Sequence, residues 1–85
     1  MEDLEMIRIR MEDHFSDTYG TIWVQRGGKP SQKNILVTLF PIDGSNYTMV
    51  FLKGLSEITY NTILDGVLKD LIPSHKTIKH ESNLY

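Results

Sequence analysis

One stretch of the chain carries a clear helical pattern of apolar positions. Between residues 56 and 72 the apolar residues recur at intervals of three and four, which places them along one side of a helix. These residues are Tyr60, Ile63, Leu64, Val67, Leu68 and Leu71. Ser56 is the predicted N-cap, and Pro73 is the predicted stop because proline lacks the N–H that a helix interior needs. The pattern predicts one amphipathic helix over residues 56–72.

Shorter stretches show the patterns of β-strands. Residues 21–26, 34–40 and 47–53 are rich in β-branched and aromatic residues and are separated by turn-forming residues. Residues 6–11 alternate between apolar and polar side chains, which predicts a half-buried strand. A helix is the competing interpretation there, because the region lacks glycine and proline. Residues 76–80 are expected to form a short edge strand protected by lysines.

Turn signals indicate how these strands connect. Asp43-Gly44 is a strong hairpin signal, and the two glycines and the proline of residues 27–34 mark the clearest loop. Because residues 34–40 are apolar on both faces, they are expected to form a central strand covered on both sides. The sequence therefore predicts one α+β domain over residues 1–85. It would have two layers, an antiparallel meander of four to five strands and one helix.

Composition and charge narrow the classes of protein that the chain can represent. The chain has 85 residues, no cysteine and a net charge of −2, and most of its acidic residues lie near the N-terminus. Absence of cysteine removes disulfides, thiolate metal sites and cysteine nucleophiles. The acidic segment suits either a solubilising surface, a basic partner or mimicry of DNA phosphates. Without a secretory signal or a membrane-length apolar run, a cytoplasmic protein is expected.

Motifs for catalysis are missing from the sequence. His14, His75 and His80 are scattered without the spacing of a zinc site, and neither a nucleophile elbow nor a phosphate-binding glycine loop occurs. We therefore expect no enzymatic activity, no metal and no cofactor.

A basic loop offers an alternative function. Arg26, Lys29 and Lys33 lie close together in the sequence, and Trp23 offers a stacking surface for a nucleobase. The same residues are also consistent with a solvated hairpin loop. The acidic net charge makes nucleic-acid binding the less favoured interpretation. A third hypothesis is a regulatory domain that binds a small molecule.

Gly66 is unusual because glycine inside a helix costs about 1 kcal/mol relative to alanine. Two interpretations are open. Gly66 allows close approach of a second helix, which would form a dimer interface with Ile63 and Val67, or it occupies a position that tolerates any residue.

Residues 34–80 also show a resemblance to a known family. The sequence Lys53-Gly54-Leu55-Ser56 is followed, four residues after Ser56, by the aromatic Tyr60. This order, after a hairpin and an aromatic strand, is similar to the small uracil-DNA glycosylase inhibitors of Bacillus phages. The resemblance implies a non-enzymatic homodimer whose paired helices form a pocket for an apolar residue of the target, while acidic groups replace DNA phosphates.

The resemblance also implies roles for individual residues. Tyr60 would form the aromatic wall of the pocket, and Phe51 would support it from the sheet. The chain departs from the family at two positions, since Asn61 replaces an acidic residue and Leu64 replaces an aromatic one. The predicted partner-binding set comprises Tyr60, Asn61, Leu64, Phe51 and Glu57. The expected function is a phage-type protein that occludes a host enzyme in the host cytoplasm.

Overall fold

The fold is a three-stranded antiparallel sheet with two helices. The computed structural model describes the backbone of residues 3–82 and the side chains of residues 3–71. The elements follow in the order α1 (Leu4–His14), β1 (Tyr19–Arg26), a short 3₁₀ turn (Pro30–Gln32), β2 (Ile35–Pro41), β3 (Thr48–Leu52) and α2 (Tyr60–Ser82). The predicted α+β class and the antiparallel meander are confirmed, with β2 between β1 and β3.

The predicted strand count of four to five is wrong, because the described residues form three strands. The three that form are the ones predicted from β-branched and aromatic content. The Asp43-Gly44 turn lies between β2 and β3, where Gly44 has a φ of +81° that favours glycine. The Asp43 carboxylate accepts the Ser45 N–H at 2.9 Å and fixes this turn.

Residues 6–11 belong to helix α1, so the predicted N-terminal strand is wrong. Asp3 caps the helix by accepting the Glu5 N–H at 2.9 Å. Ile7 and Met11 are buried four residues apart, whereas Ile9, the alternating position between them, is 45% exposed. The alternative interpretation of this region as a helix is therefore correct, because the buried positions of the region follow a helical rather than a strand period.

Residues 76–80 continue helix α2, so the predicted final strand and the predicted stop at Pro73 are also wrong. The helix runs through Pro73 to Ser82. A proline inside a helix removes one N–H donor and costs stability, but it does not forbid helical backbone on either side. Within residues 76–80 only two residues favour a strand, Thr77 and Ile78.

Helix α2 begins four residues later than predicted. Thr59, rather than Ser56, is the residue that precedes the helix and caps it. The Thr59 hydroxyl accepts the Thr62 N–H at 3.2 Å, and the Thr62 hydroxyl accepts the Thr59 N–H at 3.1 Å. This reciprocal pair has the form of a capping box. Ile58 before the cap and Ile63 after it are both buried, as expected of a hydrophobic staple.

The hydrophobic core lies between one face of the sheet and the two helices. It contains Ile7, Met11, Ile22, Ile35, Val37, Leu39, Val50, Leu52, Ile58, Ile63 and Val67. Side chains of both helices enter this single cluster, so α1 and α2 cover the same face. The expectation that β2 is covered on both sides is therefore wrong, because no described element packs on the second face of the sheet.

Gly66 allows helix α2 to lie close against strand β3. A Cβ atom at this position would be 2.7 Å from Cδ2 of Leu52, which is closer than van der Waals contact permits. The close approach that Gly66 provides is thus to the chain's own sheet. The interpretation of Gly66 as a position that tolerates any residue does not agree with this packing.

A double-mutant cycle tests this contact. We expect Gly66→Ala to destabilise the protein by about 1 kcal/mol, because overpacking costs about 1–3 kcal/mol and exceeds the gain in helix propensity of about 1 kcal/mol. In a Leu52→Val background the Cδ contact is absent, and the same substitution should stabilise the protein. Urea unfolding measures both effects. If Gly66→Ala changed the free energy of unfolding in the same direction in both backgrounds, the proposed contact would be contradicted.

Candidate functional site

The face of the sheet that points away from the helices is the candidate functional site. Strand pairing aligns Trp23 with Thr38 and Met49 in one row, and Gln25 with Leu36 and Phe51 in the next. We call this surface the open face and define it by Thr21, Trp23, Gln25, Leu36, Thr38, Phe40, Tyr47, Met49 and Phe51. All nine residues are uncharged. The open face is therefore a neutral, largely apolar surface on the solvent side of the sheet.

Aromatic side chains organise the open face. Phe40 lies between Trp23 and Tyr47, with ring centroids 4.8 Å from Trp23 in an edge-to-face arrangement and 5.5 Å from Tyr47. Such aromatic pairs contribute about 0.5–1.5 kcal/mol beyond area burial. The rings and Met49 surround Thr38, which is only 4% exposed, and leave a shallow depression of about 290 Å³. This arrangement suits an apolar side chain of a partner.

Gly27 extends the open face at one end of the sheet. Its missing side chain leaves room for the ring of Phe51, since a Cβ at Gly27 would overlap Cε1 of Phe51. The sequence indicated only a loop at this glycine. The structure shows that Gly27 also accommodates an aromatic side chain of the neighbouring surface.

The predicted partner-binding residues lie on two different sides of the molecule. Phe51 is on the open face and 52% exposed, because Val50 and Leu52 on either side of it point into the core. Tyr60 is in the helical layer, where the Arg10 guanidinium lies 3.8 Å above its ring centre. Asn61 and Glu57 are exposed, and Leu64 is half-buried. The structure does not bring Phe51 into support of Tyr60, so that implied contact is wrong.

The Lys53–Ser56 motif is held in place by the loop before β2. Gly54 has a φ of +62° and donates its N–H to Oδ1 of Asn34 at 2.8 Å. The Leu55 N–H donates to the Lys33 carbonyl at 2.9 Å, and Nζ of Lys33 donates to the Ser56 carbonyl at 3.1 Å. These contacts give the motif a structural role as the exit from β3 toward α2.

Two of the three predicted dimer residues belong to the core. Ile63 and Val67 have no exposed surface, so a second chain has no access to them while this core is intact. Gly66, the third residue, packs against Leu52 as described above.

The predicted basic site is not assembled with Trp23. Strand alternation places Trp23 on the open face and Arg26 on the opposite side of β1. Lys29 is exposed, whereas Lys33 has a φ of +51° and directs its ammonium to Ser56. The structure therefore separates the three basic residues from the aromatic residue that would stack on a base.

A carboxylate of helix α1 covers part of the β1 edge. Oε2 of Glu12 accepts the Ile22 N–H at 2.8 Å, and its other oxygen accepts Nη1 of Arg8 at 2.9 Å. Arg8 also donates to Glu5, and this hydrogen bond lowers the pKa of Glu5 and raises that of Arg8. The network connects α1 to the sheet and satisfies an outward-facing N–H of the edge strand.

Other types of site find little support in the part of the chain that the structure describes. No group of three or more His, Cys, Asp or Glu is placed to hold a metal ion there. The side chains of His75 and His80 lie outside the described residues. Neither described helix combines the length and the apolar character needed to cross a membrane.

Comparison of the chain with protein-family models, curated proteins and solved structures finds no match.

Removal of the Glu12 side chain tests its role at the strand edge. We expect Glu12→Ala to destabilise the protein by about 1–2 kcal/mol, because an ion pair and the partner of the Ile22 N–H are lost together. Glu5→Ala is the matched control, since it removes the other carboxylate on Arg8 without touching the sheet. Its effect in urea unfolding should be smaller. Equal effects of the two substitutions would contradict a specific role for Glu12.

Proposed function

We propose that the chain is a non-enzymatic interaction protein that binds a protein partner through the open face and occludes a functional surface of that partner. The observation that carries this proposal is the cluster of large side chains left in solvent on the open face. Trp23 is 50%, Tyr47 57%, Met49 53% and Phe51 52% exposed. Side chains of this kind are enriched at protein–protein interfaces.

The size of the exposed surface supports the proposal. Four half-exposed side chains, each of about 200 Å² when complete, present roughly 400 Å² to solvent. Apolar patches of about 300–600 Å² are the largest found on typical monomeric proteins, and they are often functional. A partner covering this patch would bury roughly 800 Å² in total before rim contacts are added, which corresponds to a small interface.

The charge distribution indicates what kind of partner surface fits. Because the open face carries no charge, a strongly charged partner surface would lose hydration there without gaining an ion pair. An apolar patch with one protruding side chain suits the depression between Trp23, Phe40 and Met49. We therefore expect an apolar anchor residue on the partner.

The specific form of the proposal identifies the partner as a host uracil-DNA glycosylase and the chain as a homodimeric phage protein in the host cytoplasm. Its support is the resemblance of Lys53–Ser56 and Tyr60 to the phage inhibitors. In this form the contact includes the surface around Tyr60, which lines a groove of about 480 Å³ with Ile9, Arg10, Asp13 and His14. Exposed Asp13 is an acidic group at this groove.

Nucleic-acid binding is the second candidate function. It is favoured by one observation, the exposed Trp23 on an open sheet face, because aromatic residues on such faces stack on bases in RNA-binding domains. Phosphates, however, need available cations. The open face itself carries none, and Arg8, which lines a depression beside Trp23, is paired with Glu5 and Glu12. A salt-sensitive gel shift that disappears in an Arg26/Lys29/Lys33→Ala variant would establish this function in place of the first.

Capture experiments test the general proposal. We expect the tagged protein to retain one stoichiometric protein from nuclease-treated bacterial lysate, and Trp23→Lys to lose it, because a charge buried in an apolar interface is not solvated. Glu5→Lys, which adds positive charge on exposed α1, is the control and should retain the partner. Equal retention by Trp23→Lys would contradict binding through the open face.

An inhibition assay tests the specific form. We expect excess protein to inhibit uracil excision by a bacterial uracil-DNA glycosylase, and Tyr60→Ala to weaken inhibition by about tenfold or more, as truncation of an interface aromatic does. Uracil release from DNA measures both. Full glycosylase activity at large excess of the protein would refute the specific form and leave the general proposal standing.

A further inference from the structure

The edge of strand β3 is the second unpartnered feature of the sheet. Gly27 donates its N–H to the Asn34 carbonyl at 3.0 Å, which fixes the residues of β2 that bond to β1. In an antiparallel ladder the direction of these bonds alternates along each strand. The paired residues Thr48, Val50 and Leu52 therefore bond to β2, and the backbone groups of Met49 and Phe51 point outward.

The outward groups of β3 have no partner among the described residues. No hydrogen bond within this part of the chain satisfies the N–H or the carbonyl of Met49 or Phe51. The strand itself, Thr48–Leu52, contains no charged residue and no proline. Natural proteins commonly protect an edge strand with such residues or with a covering element. Here an extended strand is the ligand whose donors and acceptors match the edge.

The opposite edge of the sheet differs in this respect. On β1 the outward N–H of Ile22 is bonded to the Glu12 carboxylate, and helix α1 lies beside the strand. A strand approaching β1 would have to displace this carboxylate from Ile22, although Arg8 holds the carboxylate through its other oxygen. The β3 edge is therefore the one better suited to strand addition, because Glu12 blocks part of the β1 edge.

We propose that two copies of the chain pair through their β3 edges in an antiparallel, two-fold arrangement centred on Val50. This inference rests on the proposed homodimer and assigns its contact surface to β3 in place of Ile63, Gly66 and Val67. Met49 of one copy faces Phe51 of the other, and these two outward-facing residues exchange both backbone hydrogen bonds. The same exchange repeats on the other side of the axis.

The chemistry of β3 favours a second copy as the occupant. In this register Val50 faces its own copy and Thr48 faces Leu52, so no like charges oppose each other between the two acidic chains. A two-fold pair uses the same edge of both copies, so the assembly closes at two. The product is one sheet of six strands, three from each copy, with both open faces on the same side.

Sedimentation and amide exchange test this arrangement on the unmodified chain. Because short paired strands bury less area than a standard interface, we expect a dissociation constant of roughly micromolar size. The Met49 and Phe51 amides should exchange rapidly at low concentration and slowly above the dissociation constant. A dimer in which both amides still exchange rapidly would overturn the β3 pairing while leaving the homodimer in place.

Two variants identify the contact independently. Met49→Pro removes an outward N–H that β2 does not use, a position where edge strands tolerate proline, and should weaken dimerisation by about tenfold or more. Trp23→Ala, the control, removes an open-face side chain of β1, which β2 separates from the β3 edge, and should leave dimerisation unchanged. Loss of the dimer in Trp23→Ala would instead indicate face-to-face packing and overturn the proposal. A chain that stays monomeric would refute the homodimer itself, with partner capture unaffected.

Discussion

The packing of both helices on one face of the sheet is the constraint on which the rest of the structure depends. Ile7 and Met11 from α1 enter the same cluster as Ile63 and Val67 from α2. No described element is left to cover the other face, so the apolar residues on that side stay in solvent. The proposed binding surface is a direct consequence of this one-sided core.

Close contacts at one end of the sheet maintain the one-sided arrangement. Asn34 bonds to the backbone of Gly27 and of Gly54, and so connects the exits of β1 and β3. Gly66 then allows α2 to approach Leu52. These contacts all lie within the chain, so the structural role of the Lys53–Ser56 motif accounts for its residues without a partner. Its resemblance to phage inhibitors therefore supports a proposal about the partner and is not needed to explain the fold.

The sequence predicted the elements whose periodicity has one interpretation. The content of β-branched and aromatic residues located β1, β2 and β3. The spacing of Ile63 and Val67 located α2. The strand predicted for residues 6–11 was wrong because apolar positions four apart, such as Ile7 and Met11, satisfy both a helical and an alternating pattern. Only the exposure of Ile9 distinguishes the two patterns. The two-layer prediction left one face of the sheet uncovered, but the residues of the open face were not predicted. Trp23 and Phe51 alternate with buried residues, but the number of layers that cover a sheet depends on where the helices pack.

The central claim is that the open face is solvent-exposed in the chain alone and covered by its partner. Trp23 is the single tryptophan, so acrylamide quenching of its fluorescence reports on this surface directly. The account predicts efficient quenching in the free chain at every protein concentration, since β3 pairing leaves Trp23 open, and loss of quenching when the captured partner binds. Shielding of Trp23 in the free chain, or unchanged quenching in the complex, would contradict it.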